Sequence, residues 1–196
     1  MNYPEKIAGA YLRLNGFFLL PHFTLFDGAS HTHVDFLVLR PPKGREKVNN
    51  TELPLDEELF IKIDELCKKK SKDLLLGGVV EVRGNEDKDI PEESHLTYAR
   101  HFLGPTTEVV SFSFFRNDRD IEIEEHTITI PVAHVLKWVK KRIVWMDQHA
   151  NSLTKSGSWP WSEGVLSDLL YQHQLDPTFL GRTETAKRTS DEVKKL

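Results

Sequence analysis

The pattern of apolar and polar positions along the chain predicts an order of helices and strands. Helical spacing of apolar residues predicts helices over 4–15, 55–70, 94–102, 131–149 and 162–174. Apolar and aromatic runs predict strands over 17–26, 34–39, 74–82, 108–115 and 121–130, with a long polar loop over 41–54. This order indicates an α/β domain with a mixed central sheet.

The run from Asp73 to Asn85 contains the strand around which the chain is organised. Residues 74–82 are almost wholly apolar, which is typical of a strand covered on both faces. Because side chains alternate along a strand, Glu81 and Arg83 are expected to point to the same side. A carboxylate at the end of a buried run is costly unless a cation or a metal lies beside it. The end of this strand is therefore a candidate functional site.

Composition narrows the classes of protein that fit. The chain has 196 residues with 39% hydrophobic residues, which is enough for one domain with a sizeable core. A net charge of -4 excludes a uniformly basic nucleic-acid binder, although local basic patches remain possible. The single cysteine, Cys67, rules out an internal disulfide and a zinc site made of several thiolates. With no apolar run of about 18 residues and no recognisable leader, we expect a cytoplasmic protein with no membrane contact.

Three acidic residues are candidates for one site. Glu5 lies in the first turn of the first helix, Asp35 inside the second strand and Glu81 near the end of the third. If the second and third strands are neighbours, Asp35 and Glu81 can lie within a few ångströms of each other. Their carboxylates and the carbonyl of Val82 form a set of hard oxygen ligands, which suits Mg²⁺ or Mn²⁺.

These residues resemble the PD-(D/E)XK nuclease superfamily over about residues 5–85. The resemblance lies in a Glu in the first helix, then Val-Asp-Phe-Leu-Val-Leu at 34–39, then Val-Glu-Val-Arg at 80–83. It implies a restriction-endonuclease-like αβββαβ core that cuts DNA or RNA phosphodiesters with Mg²⁺. By the same resemblance, Asp35 and Glu81 are metal ligands and Glu5 is an accessory acid. The core is then expected over 1–130, a C-terminal helical extension over 131–180 and a polar tail over 181–196.

Arg83 departs from the pattern of the superfamily, which has lysine at that position. Arginine keeps the positive charge and can bind phosphate, but it does not readily lose a proton and so cannot serve as a base. Lys43 or Lys88 could supply the missing amine. The alternative is a nuclease fold without catalysis, acting as a subunit or module that binds nucleic acid or a protein partner. In a third interpretation Glu81 and Arg83 form surface ion pairs, and Asp35 lies far from Glu81.

Three further groups of residues are weaker candidates for a binding site. His22, His31 and His33 cluster in the first hairpin and could bind a transition metal, or could be ordinary polar residues of a turn. A loop with Trp159 and Trp161 could bind a partner. The long helix carries a basic face that is either solvated or a phosphate contact, made of Lys137, Lys140, Lys141 and Arg142.

Overall fold

A mixed six-stranded sheet forms the centre of the computed structural model, which describes residues 3–27, 30–45, 47–48, 51–83, 93–115 and 120–148. The strands are β1 (Phe18–Asp27), β2 (Ser30–Arg40), β3 (Lys47–Val48), β4 (Thr51–Glu52), β5 (Leu76–Val82), β6 (Glu108–Phe115), β7 (Glu122–Glu124) and β8 (Thr127–Pro131). Their order in the sheet is β1-β2-β5-β6-β8-β7, and β3 and β4 form a separate small hairpin. The β5–β6 and β6–β8 pairs are parallel, and the other pairs are antiparallel.

Four α-helices accompany the sheet in the described residues. They are α1 (Tyr3–Leu14), α2 (Glu57–Cys67), α3 (Glu93–Leu103) and α4 (Val132–Gln148), and a short 3₁₀ helix covers Ser71–Asp73. Acidic residues begin α1 and α2, where carboxylates interact favourably with the positive end of the helix dipole. The mixed α/β class predicted from the sequence is thereby confirmed.

The central strand β5 is packed on both faces, as its apolar run predicts. On one face, Val79 belongs to a buried cluster with Leu37 and Val109, against Leu96 and Ala99 of α3. A Cβ atom at Gly77 would collide with Leu103 and Thr107, so the absence of a side chain lets α3 approach the sheet closely.

The opposite face of the sheet is covered by α1. Its Tyr11 ring packs edge-on against Phe114 with 6.0 Å between centroids, and Phe17 packs in the same way against Phe112 at 5.7 Å. Aromatic contacts with β6 therefore hold α1, and Phe17 which follows it, against this face of the sheet.

Two predicted elements are wrong in detail. The segment 41–54 is not a plain loop, because it contains the β3–β4 hairpin. The predicted strand over 121–130 is two strands that turn at Glu125, which has a φ of 54°. Of these two strands, β7 lies at an edge of the sheet, whereas β8 is an inner strand and is fully buried. The apolar positions shift from odd to even numbers between Ile123 and Ile128, across the polar residues 124–126, and this shift was the signal for the turn.

The chain divides into two compact units, Met1–Val139 and Lys140–Leu196. The boundary falls inside α4, so the first eight residues of that helix belong to the first unit. The predicted helix over 162–174, the loop with Trp159 and Trp161, and the tail over 181–196 lie outside the described residues. No helix in the described part of the chain has both the length and the apolar character needed to cross a membrane.

Candidate functional site

Asp35 and Glu81 lie on neighbouring strands at the end of the β2–β5 ladder. The ladder pairs Phe36 of β2 with Val80 of β5. The next position along this antiparallel ladder holds Asp35 on β2 and Glu81 on β5. Beyond that pair, the backbone N–H of Val82 donates a hydrogen bond to Asp35 Oδ2 at 2.7 Å. This bond fixes the Asp35 carboxylate against the end of β5. The third interpretation from the sequence, which needs the two acids far apart, does not fit this geometry.

The two carboxylates affect each other's protonation. Burial first, and the charge of Asp35 second, raise the pKa of Glu81 to about 7, although Arg83 acts in the opposite direction. A carboxyl group with such a pKa is about half protonated near neutral pH. The fold thus holds the carboxylates of Asp35 and Glu81 close together although their negative charges repel each other.

Asp35 is the centre of a larger group of charges. Burial raises the pKa of its carboxyl group, and the hydrogen bond from Val82 partly offsets this effect. The charge of Glu5 raises the same pKa further, whereas Arg83 and His22 lower it. The structure therefore brings the predicted residues Glu5, Asp35, Glu81 and Arg83 to one place.

Glu5 is buried in the first turn of α1, with 7% of its surface exposed. His22 Nε2 lies 3.7 Å from Glu5 Oε2, and this contact joins α1 to the edge strand β1. A buried carboxylate needs such partners to offset the loss of water.

His22 is the residue of this site that sequence reasoning placed elsewhere. It lies between the pairs Pro21–Phe36 and Phe23–Val34, and so faces Asp35 across the β1–β2 ladder. Its backbone has a φ of 51°, an unusual conformation for a residue inside a strand. Because His22 contacts Glu5, the predicted cluster of three histidines does not form around one point. The Pro21-His22 interruption of an apolar run was the only signal in the sequence.

Arg83 follows the last residue of β5 and is exposed. Its backbone N–H donates to the carbonyl of Phe114 at 2.7 Å, so the strand geometry of β5 continues to this residue. The guanidinium charge lowers the pKa of both Asp35 and Glu81. Arg83 is thus an exposed cation beside two acids.

The donor atoms of the site suit a hard divalent cation. The N–H and C=O groups of one strand residue point to the same neighbouring strand, so the Val82 carbonyl also points to the Asp35 side. Two carboxylates and one carbonyl are oxygen donors of the kind that Mg²⁺ and Mn²⁺ bind. Within the described ranges, no three His, Cys, Asp or Glu side chains are arranged to hold a metal. An ion would therefore depend on these three donors together with water or substrate oxygens.

Of the two other cations named from the sequence, Lys43 lies away from the site. Lys43 lies eight positions after Asp35, beyond the C-terminal end of β2, and its backbone N–H donates to the Lys72 carbonyl. Lys88 lies outside the described residues. On the predicted basic face of α4, Arg142 is buried with 2% of its surface exposed, so the prediction of one solvated face is wrong at that residue.

Comparisons of the chain with protein-family models, with curated proteins and with solved structures find no match.

Proposed function

We propose that the protein is a divalent-metal-dependent nuclease that hydrolyses phosphodiester bonds in DNA or RNA. The observation that carries this proposal is the pairing of Asp35 and Glu81 on neighbouring strands, where burial and the charge of Asp35 raise the pKa of Glu81 to about 7. Paired acids that cost stability are typical of functional sites, because a cation is needed to balance them.

The order of elements supports the same proposal. The sequence α1, β1, β2, β5, α3, β6 follows the αβββαβ order implied by the resemblance to the PD-(D/E)XK nucleases. The small β3–β4 hairpin and α2 are then an insertion between the second and third core strands. Because a shared fold does not establish an activity, the argument depends on the residues of the site.

Each residue of the site has a distinct role in this proposal. Asp35, Glu81 and the Val82 carbonyl would hold Mg²⁺ or Mn²⁺, which supplies Lewis acidity and a nucleophilic water near neutral pH. The N–H of Val82 orients the Asp35 carboxylate. Arg83 binds a phosphate oxygen and stabilises the negative charge that develops on the transferring phosphoryl group. Glu5 and His22 close the side of the site next to β1.

Cleavage assays with Mg²⁺ or Mn²⁺ on single-stranded, duplex and branched DNA and on RNA test the proposal. We expect Asp35→Asn and Glu81→Gln to reduce cleavage by about a thousandfold or more, because each removes a charge that holds the ion. Asp120→Asn, at an exposed acid outside the site, is the matched control and should cut like the wild type. Absence of cutting by the wild type on every substrate would overturn the proposal, as would full activity of Asp35→Asn.

Arg83 favours a second candidate function, a binding module that has the nuclease fold but no catalysis. A guanidinium stays protonated and cannot act as a base. Arg83→Lys separates the two candidates. If the wild type is inactive and Arg83→Lys gains cleavage, the missing amine was the defect and the natural protein is a binding module. If the wild type already cuts and the variant changes the rate by less than about tenfold, Arg83 is sufficient for the reaction.

A further inference from the structure

The outer end of the β1–β2 hairpin has two different sides. One side belongs to the core, since Leu25 and Val34 are buried in the cluster that α3 covers and Phe23 packs against it. The other side carries Thr24, Phe26, His31 and His33, and of these Phe26, His31 and His33 are exposed. Phe26 has 70% of its surface in solvent, so its ring is accessible to a ligand.

The side chains of the exposed side contact one another in a row. His33 Nδ1 lies 2.9 Å from Thr24 Oγ1, which holds the ring in place. The His33 and His31 rings are 5.4 Å apart between centroids, and the His31 and Phe26 rings are 6.0 Å apart. We call Phe26, His31 and His33 the stacking row.

The stacking row begins beside the acidic site. His33 is two residues from Asp35 along β2, a rise of about 6.6 Å in a strand. On β1, the pairs Thr24–His33 and Phe26–His31 continue outward from His22, which faces Asp35. A nucleic-acid strand with one phosphate at Asp35 and Glu81 would therefore have its neighbouring nucleotide within reach of His33.

We propose that the stacking row binds unpaired bases of a nucleic-acid strand whose scissile phosphate lies at Asp35 and Glu81. Flat aromatic and imidazole rings stack on any base, and histidine N–H groups can donate to phosphate or base oxygens. Bases paired inside a duplex have no free face for such rings. This inference rests on the proposed function and names its substrate class as single-stranded or locally unpaired DNA or RNA.

Fluorescence anisotropy in EDTA measures binding without cleavage. The probes are labelled single-stranded DNA, single-stranded RNA and a blunt duplex of the same sequence, each titrated with the full chain. We expect the single strands to bind more tightly than the duplex. Phe26→Leu should weaken single-strand binding by about tenfold, because it keeps an apolar side chain but removes the ring.

Phe18→Leu is the matched control, because Phe18 lies on the same strand and is 69% exposed, but at the opposite end of β1. It should leave single-strand binding unchanged, and circular dichroism melts should show both variants folded. Equal effects of the two variants, or duplex binding as tight as single-strand binding, would overturn the inference. A zinc complex that His31→Ala abolishes, combined with unchanged oligonucleotide binding in Phe26→Leu, would assign the histidines to a metal instead.

Different results would contradict the nuclease proposal and the stacking-row proposal. If Asp35→Asn cuts normally but Phe26→Leu loses single-strand binding, the nuclease assignment is wrong and the stacking row stands. If Asp35→Asn abolishes cleavage but Phe26→Leu binds like the wild type, the nuclease stands and its strands are held elsewhere.

Discussion

Single residues at the acidic site lower the stability of the folded protein near neutral pH. Burial and the charge of Asp35 raise the pKa of Glu81 from 4.5 to about 7, and burial also raises the pKa of Asp35. An acid whose pKa is higher in the folded state binds its proton more tightly there than in the unfolded chain. The free energy of unfolding contributed by this group therefore falls as pH rises from about 4.5 to about 7.

Glu81→Gln should remove this destabilisation. At about pH 8 and without metal, we expect the variant to be more stable than the wild type by about 1 to 2 kcal/mol, a value reduced for the partial solvent exposure of Glu81. At about pH 4, where both side chains are uncharged, the difference should largely disappear. Urea unfolding in EDTA at both pH values measures it. A constant difference between wild type and variant at both pH values would contradict the pKa shift.

At the scale of elements, a buried polar network ties three helices together. Asp56 precedes α2 and accepts a hydrogen bond from the Tyr11 hydroxyl of α1 at 2.6 Å. The same carboxylate oxygen lies 2.7 Å from His134 Nε2 of α4. The Asn15 side chain accepts from the Asp56 N–H at 2.8 Å. Burial alone would raise the pKa of Asp56, but the hydrogen bonds from His134 and Tyr11 outweigh it and lower the pKa. Because the network fixes α1, it also fixes Glu5 at the acidic site.

Asp56→Ala should destabilise the protein by about 2 to 4 kcal/mol, since it leaves buried donors on Tyr11 and His134 without their acceptor. Urea unfolding at neutral pH measures the loss, with Asp120→Ala as the exposed-acid control. A folded-state pKa below the usual value means that this stabilisation is present at neutral pH and is lost in strong acid. The difference between wild type and Asp56→Ala should therefore shrink as pH falls below about 4. A loss no larger than that of the control would show that the network contributes little.

At the scale of the whole molecule, the net charge of -4 limits the number of phosphates that the proposed single-stranded ligand could contact through basic side chains. Each nucleic-acid phosphate that a Lys or Arg neutralises releases counterions. The steepness with which affinity falls as salt rises therefore measures the number of such contacts. Binding that depends mainly on stacked bases needs few of them.

We expect the affinity for single-stranded oligonucleotides to fall only gently with salt. Fewer than about four neutralised phosphates correspond to a slope of log affinity against log salt shallower than about −3. Anisotropy titrations over a salt series measure the slope. A slope steeper than about −5 would mean an extended basic surface, and the stacking row would then contribute only a small part of the affinity.

The apolar pattern alone determined the principal helices and strands, the buried character of β5 and the common side of Glu81 and Arg83. Local spacing suffices for these, because a side chain's direction follows from the period of its own helix or strand. Only the tertiary structure decided the pairing of Asp35 with Glu81, the position of His22 beside Glu5 and the Asp56 network. Each of these joins residues that lie far apart in the chain. Only the folded sheet, with its register and neighbours, brings those residues together.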